Sequence, residues 1–378
     1  MRIGLDVRPF LKKPTGVGIY FKNLLFSLSR LDHVNEYYLF SASFKDRFPS
    51  SKIPPFAHQH FRDFRFPVKM INHFWYRLCW PPLDYFFFTS LDVTHSPTPL
   101  VIPTKGKKLV TVYDLFFMDF PHLTDKEARK EFIPRIRASL KQADGIVAIS
   151  RFSQQRLMQK FALPPSKIKV IHLGIDHRFW NDISTFQLAE TKKRYGLPSS
   201  FILFVGAMEP RKNLTTLVKA LKCLHNRNRK IPLIMVGRKG EDYKRIKKEI
   251  NEQSLDAWVK MLGYVPEEDL KNLYRLASVL VFPSMYEGFG LPVLEAMVSG
   301  LPVVTSQTSA LVEIAQDAAL YFNPDSPDEI AEKTLLAMDH RDLHQSLAQK
   351  GKKRALDFDW RKTAAETLSF YQQVVNQR

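Results

Sequence analysis

Cysteine is almost missing. The 378 residues hold two, Cys79 and Cys223, far apart and in no CxxC or zinc-ligand spacing. A disulfide framework is therefore excluded, and a reducing compartment is expected. Long apolar runs are missing too. No stretch approaches the ~18–20 residues that cross a bilayer, and charge or proline interrupts the most hydrophobic tracts. The opening MRIGLDVRPF has no extended apolar region or cleavage site, so it reads as a strand rather than a secretion signal. No zinc-finger, RNA-recognition or basic-zipper pattern occurs, which sets nucleic acid aside as a partner. No Asp-x-Asp pair falls where it would suit a metal, so no metal requirement is expected. Acidic residues are in deficit, 38 against 56 lysines and arginines, for a net charge of +18. Such an excess suits phosphorylated substrates or an anionic membrane surface.

What is present belongs to a folded protein with room for two cores: 45% hydrophobic and 25% charged residues. Strand-like and helical segments alternate twice along the chain. That pattern implies α/β architecture with two Rossmann-like, doubly wound parallel sheets. The expected division is an N-terminal domain over 1–178, a linker over 179–199, a C-terminal domain over 200–355, and a helix over 356–378 that returns to the first domain. Residues 42–70, with prolines at 49, 54, 55 and 67, read as irregular.

The most informative stretch is 282–306, FPSMYEGFGLPVLEAMVSGLPVVTS. An apolar strand, Val279–Phe282, leads through a turn to Glu287. Gly288-Phe289-Gly290 and Leu291 then open a helix with Pro292 inside its start and Gly300 past its end. A glycine-flanked helix start exposes backbone N–H groups and a positive dipole end, a natural seat for phosphate or an oxyanion. A carboxylate beside such a seat needs hydroxyls to accept from. Glu287 and Glu295, one helical turn in, would find them on a sugar and a ribose. A second anion-friendly place is Gly206 to Leu214, where Arg211 and Lys212 precede a helix after a strand. Near the N-terminus, Gly16-Val17-Gly18 sits between a strand and a helix, and loop 8–15 leads into it. At strand ends, where parallel sheets bind ligands, stand His95, Asp114 and Ser150.

The E-x7-E spacing inside YEGFGLPVLEAMVSGLPVV resembles the motif of retaining glycosyltransferase family 4, which has the GT-B fold of two Rossmann-like domains facing a cleft. GVGIY, ADGIVAISRFS, KVIHLGID and PRKN resemble further patterns of that family. The resemblance spans nearly the whole chain, is dense over 201–325 and thin over 42–90. It implies a metal-independent hexosyltransferase with a nucleoside-diphosphate sugar as donor substrate and no other cofactor. The acceptor would be a glycan or lipid-linked glycan of cell-surface polysaccharide. GDP-mannose is the first expectation and a UDP-sugar the alternative.

By that resemblance Glu287 binds a donor-sugar hydroxyl, with Gly288, Phe289, Gly290 and Leu291 supporting the sugar. Glu295 binds ribose, Arg211 and Lys212 hold the departing diphosphate, and Tyr264 and Val265 lie under the base. Gly16, Gly18 and Asp114 face the donor from the other domain. Two positions depart from the pattern. Tyr113 stands where the family carries His, and Ala207 where many members carry Arg. The location expected is cytoplasmic, peripheral at the inner membrane face. The aromatic and basic residues of 61–88 suit such a surface, and sedimentation with anionic vesicles at low salt would reveal it. A non-enzymatic, basic nucleic-acid- or membrane-binding protein is the reading from another class.

Overall fold

The computed structural model describes residues 1–10, 16–45, 52–124, 126–181 and 183–377. Residues 11–15 of the expected loop 8–15 lie outside this set. The chain forms two compact units, residues 1–174 with 359–378, and residues 175–358.

Among the described residues, the first unit holds seven parallel strands: β1 (Arg2–Asp6), β2 (Glu36–Ala42), β3 (Gln59–Phe64), β4 (Val93–Ser96), β5 (Lys107–Val112), β6 (Gly145–Ala148) and β7 (Ile168–Val170). Their order is β3-β2-β1-β4-β5-β6-β7. The second unit holds β8 (Ile202–Val205), β9 (Leu233–Val236), β10 (Val259–Gly263), β11 (Val279–Phe282), β12 (Val303–Ser306) and β13 (Ala319–Phe322), in the order β10-β9-β8-β11-β12-β13. Each sheet reverses its direction of growth once, between β1 and β4 and between β8 and β11. Ligands of such sheets bind beyond the strand carboxyl ends at that switch. The central strands read as near-continuous apolar runs because both faces are covered. Every residue of β8, β9, β11 and β12 is buried.

Two expectations about the course of the chain need correction. The stretch 42–70 is not irregular throughout, since it contains β3 and a helix over Val68–His73. β3 escapes the apolar pattern because it is an exposed edge strand, Gln-His-Phe-Arg-Asp-Phe, defined by its pairing with β2. Residues 179–199 do not stand apart as a linker. Their helix Thr185–Arg194, opened by a Ser184–Gln187 capping box, is fastened within the second unit. Arg194 pairs with Asp269 at 2.8 Å and Asn272 donates to the Thr191 hydroxyl at 2.8 Å. The chain leaves the first unit at Gly174 and returns to it at Asp359. The aromatic-basic segment divides. Trp75 and Phe87 are buried with Phe40 and Ile71, and the Arg8 guanidinium lies 4.7 Å from the Trp75 ring. Trp80, Tyr85 and Phe88 point outward.

The C-terminal helix, Trp360–Asn376, packs onto the first unit. Gly145 makes room for it, since a Cβ there would lie 2.9 Å from both Phe370 and Val374. The Tyr371 hydroxyl lies 2.6 Å from Nδ1 of His95, and the Thr111 hydroxyl 2.7 Å from Nε2. His95 is completely buried. It therefore ties β4 and β5 to the C-terminal helix and is no ligand-facing group. Burial pushes its imidazole down to about 3. Between that value and about 6.5 the unfolded chain binds a proton that the folded chain does not. The stability from neutral His95 is thus complete above about 6.5, and up to ~1.4 kcal/mol is lost per pH unit as the pH falls toward 3. His95→Phe, which leaves the Tyr371 hydroxyl without this partner, is expected to cost about 1–3 kcal/mol at neutral pH and to flatten that slope. Urea unfolding from pH 4 to 7.5 measures both.

Candidate functional site

The switch point of the second unit places three charged side chains together. β8 ends at Val205, and the chain then passes Gly206 into a tight 3-10 turn, Pro210–Lys212. β11, the neighbour of β8, ends at Phe282 and runs into Ser284 to Gly290. The Met285 N–H donates to the Arg211 carbonyl at 2.8 Å, which joins turn and loop. Lys212 Nζ then lies 2.5 Å from Glu287 Oε1, and Arg211 Nη1 lies 3.0 Å from Glu287 Oε2. Arg211 also donates to Glu209 at 3.1 Å and to the Tyr286 carbonyl at 3.3 Å. Glu209 in turn accepts from Arg238, at the end of β9, at 2.8 Å. Three cations thus surround two carboxylates, a local excess of one positive charge.

Both members of the Lys212–Glu287 pair are buried. Burial alone would raise the Glu287 carboxyl. The charges of Arg211 and Lys212 and the Lys212 hydrogen bond outweigh it and hold the group at about 2. Glu287 is therefore a carboxylate at any physiological pH. For Lys212, burial pushes the ammonium down against the pull of Glu287. The ammonium also sits 4.8 Å above the Phe282 ring, a further contact favouring its charge.

Gly288, Phe289 and Gly290 continue the loop. The Phe289 ring is core, packed edge-on against Phe358 at 5.7 Å, so only its backbone could serve a ligand. Gly290 has φ +107° and caps the helix Leu291–Val298, a conformation open to glycine. Leu291 is the first residue of that helix. Glu295 follows one turn in and accepts from the Tyr274 hydroxyl at 2.7 Å. Burial pushes its carboxyl up to about 7, against that hydrogen bond. Tyr274 is held edge-on by Trp180, 5.3 Å away. Tyr264 and Val265 follow β10, at the sheet edge two strands from β8. Tyr264 is largely exposed and Val265 buried.

In the first unit, Gly16 and Gly18 lie in the opening turn of the helix Gly16–Leu31, and Gly16 has open space where a side chain would be. Asp114 follows β5 and accepts from the Phe116 N–H at 3.2 Å. Tyr113 donates its hydroxyl to the Pro97 carbonyl at 2.9 Å, its ring edge-on to Tyr20. Burial holds that phenol well above its ordinary range, so it supplies no group titrating near neutrality. Ser150 is an N-cap, accepting from the Ser153 N–H at 3.0 Å.

Three contributors escaped the motif reading. Glu209 orients Arg211 from two positions away in the same turn, and Tyr274 orients Glu295 from 21 residues earlier in the chain. Ser309 accepts from the Glu287 N–H at 2.9 Å. Its signal was available, a Ser-Gln-Thr-Ser run at the carboxyl end of β12.

Comparison with known proteins agrees along the whole chain. Residues 189–354 match the family model "Glycosyl transferases group 1", and residues 14–179 match "Glycosyltransferase Family 4". The O-antigen chain mannosyltransferase B of Escherichia coli is 30% identical, over 98% of this chain and 99% of its own length. The serotype-specific mannosyltransferase WbdA of Escherichia coli is 28% identical over 62% of this chain, which corresponds to 29% of that longer protein. Among solved structures, a sucrose-phosphate synthase from Thermosynechococcus elongatus superposes with a TM-score of 0.76 at 20% identity, covering 98% of both chains.

Proposed function

The chain belongs to glycosyltransferase family 4, and from that premise we propose that it transfers mannose from GDP-mannose, with retention of the α configuration, to a glycan or lipid-linked glycan of a surface polysaccharide. The observation that carries this reading is the convergence of Arg211 and Lys212 on Glu287 at the β8–β11 switch. A diphosphate entering there offers the two cations a second anion. As they turn to it, the Glu287 lone pairs become available to sugar hydroxyls. The same cations then neutralise charge as the diphosphate departs, an electrostatic contribution in a water-poor site. They supply the positive charge that a metal ion brings elsewhere. Glu295, recessed and held by Tyr274, is suited to the ribose diol. The mannosyl donor follows the whole-length relative from Escherichia coli, whose name carries that sugar.

A thermal-shift panel of GDP, UDP, ADP and dTDP tests the donor. A nucleotide at about 100 times its Kd adds about 2.7 kcal/mol to the unit that binds it. GDP is expected to raise the melting temperature most. A larger shift with UDP would replace the guanosine donor, and no shift with any of the four would remove the nucleotide-sugar reading.

A further inference from the structure

The loop that carries Glu287 is gripped from its far side by residues 308–311, which follow β12. The Thr308 hydroxyl donates to the Ser284 carbonyl at 3.2 Å. The Ser309 hydroxyl accepts from the Glu287 N–H at 2.9 Å, and the Ala310 N–H donates to the Glu287 carbonyl at 3.3 Å. At the loop's end, a Cβ on Gly290 would lie 2.8 Å from Leu311 Cδ2, so loop and clasp meet without a gap. Four consecutive residues thus touch the beginning, middle and end of the loop. Ser309 does so at a conformational cost. Its φ is +53°, in the left-handed region that costs an ordinary residue about 1–2 kcal/mol. Such strain persists where surrounding contacts impose it, commonly at functional sites. Here the imposed geometry aims the serine hydroxyl at the backbone of Glu287.

We propose that residues 308–311 are a clasp that sets the position of Glu287, and that Ser309 is its positioning residue. The inference rests on the reading that Glu287 contacts the donor sugar. In this role Ser309 acts through the backbone of Glu287. It fixes the backbone of Glu287 on one side while Arg211 and Lys212 hold the carboxylate on the other. A displacement of about 1 Å at such a group costs up to 100-fold in rate.

Ser309→Gly separates this role from a merely structural one. Glycine accepts φ +53° without strain, so the fold is retained and the hydroxyl alone is lost. Expected are a fall of about tenfold in kcat, the size of one lost hydrogen bond, and a Kd for the nucleoside diphosphate within twofold of wild type. Amide hydrogen exchange in 284–290 should accelerate. Ser309→Asn tolerates the left-handed conformation and keeps an acceptor, so it is expected to recover part of the rate. Wild-type kcat in Ser309→Gly, or equal losses of kcat and nucleotide affinity, would overturn the proposal. Hydrogen exchange needs no substrate. Unchanged protection of 284–290 therefore rejects the clasp even if the donor reading fails, and faster exchange supports the clasp even if no donor is found.

Discussion

Glu287→Ala is expected to lower kcat/KM by about 1,000-fold or more and to destabilise the second unit by about 3–5 kcal/mol. The two effects share one cause. Glu287 is the buried counter-charge of Lys212 and Arg211. Removing one partner of a buried pair leaves the other uncompensated in a poorly solvated place. On the proposed function the catalytic loss follows from hydrogen bonds between Glu287 and the donor sugar, which as charge-assisted bonds are stronger than neutral ones. Glu287→Gln separates the two consequences. Its amide keeps the shape and one acceptor oxygen, so the stability loss is smaller while transfer still falls about 100-fold. In that variant residue 287 no longer competes for Arg211 and Lys212, while Glu209 still holds Arg211, so GDP binding is retained or tightened. Initial rates, calorimetric titration with GDP and urea unfolding on the two variants check each part. A Glu287→Gln variant that loses GDP binding together with transfer would contradict the exchange of partners described for this site.

Lys212→Met carries the second large effect, a fall in kcat of about 100- to 1,000-fold with a smaller change in donor KM. The thioether keeps the chain's length and its contact with the Phe282 ring but removes the ammonium. Stabilisation of a leaving diphosphate grows as the bond to the sugar breaks, so it appears chiefly in kcat. Arg211 does not replace it. That guanidinium already serves Glu209, the Tyr286 carbonyl and Glu287. Steady-state kinetics at fixed acceptor give the split. An unchanged kcat with a raised KM would assign Lys212 to ground-state binding alone.

Much of the fold was legible because buried parallel strands advertise themselves. Leu233–Val236, Val279–Phe282 and Val303-Val304 are apolar runs bounded by glycine or proline. The helix start at Leu291 was legible for a similar reason, since Gly290 and Pro292 mark it from both sides. What stayed hidden depends on partners far away in the chain. β3 is polar and strand-like only beside β2. Residues 179–199 look like a linker because they are polar, yet Arg194 and Thr191 are fastened to Asp269 and Asn272. His95 stands near a strand end, where a ligand-facing group was expected. Its neighbour is Tyr371, 276 residues later. In the site, Arg211, Lys212, Glu287 and Glu295 could be singled out from loop chemistry. Their joining could not, because it needs β8 beside β11. Ser309 was missed because the polar run that ends β12 does not say which serine turns back to Glu287, 22 residues earlier; its backbone angle and partner do.

The most direct measurement is the release of GDP from GDP-mannose by wild type and Glu287→Gln side by side, at equal concentration and with GDP affinity recorded for both. Release by wild type in the presence of a mannan or lipid-linked acceptor, about 100-fold slower in the variant with GDP affinity preserved, is the predicted result. Equal release by both proteins, or no release from GDP-mannose or any other nucleotide sugar, would contradict the assignment of this site.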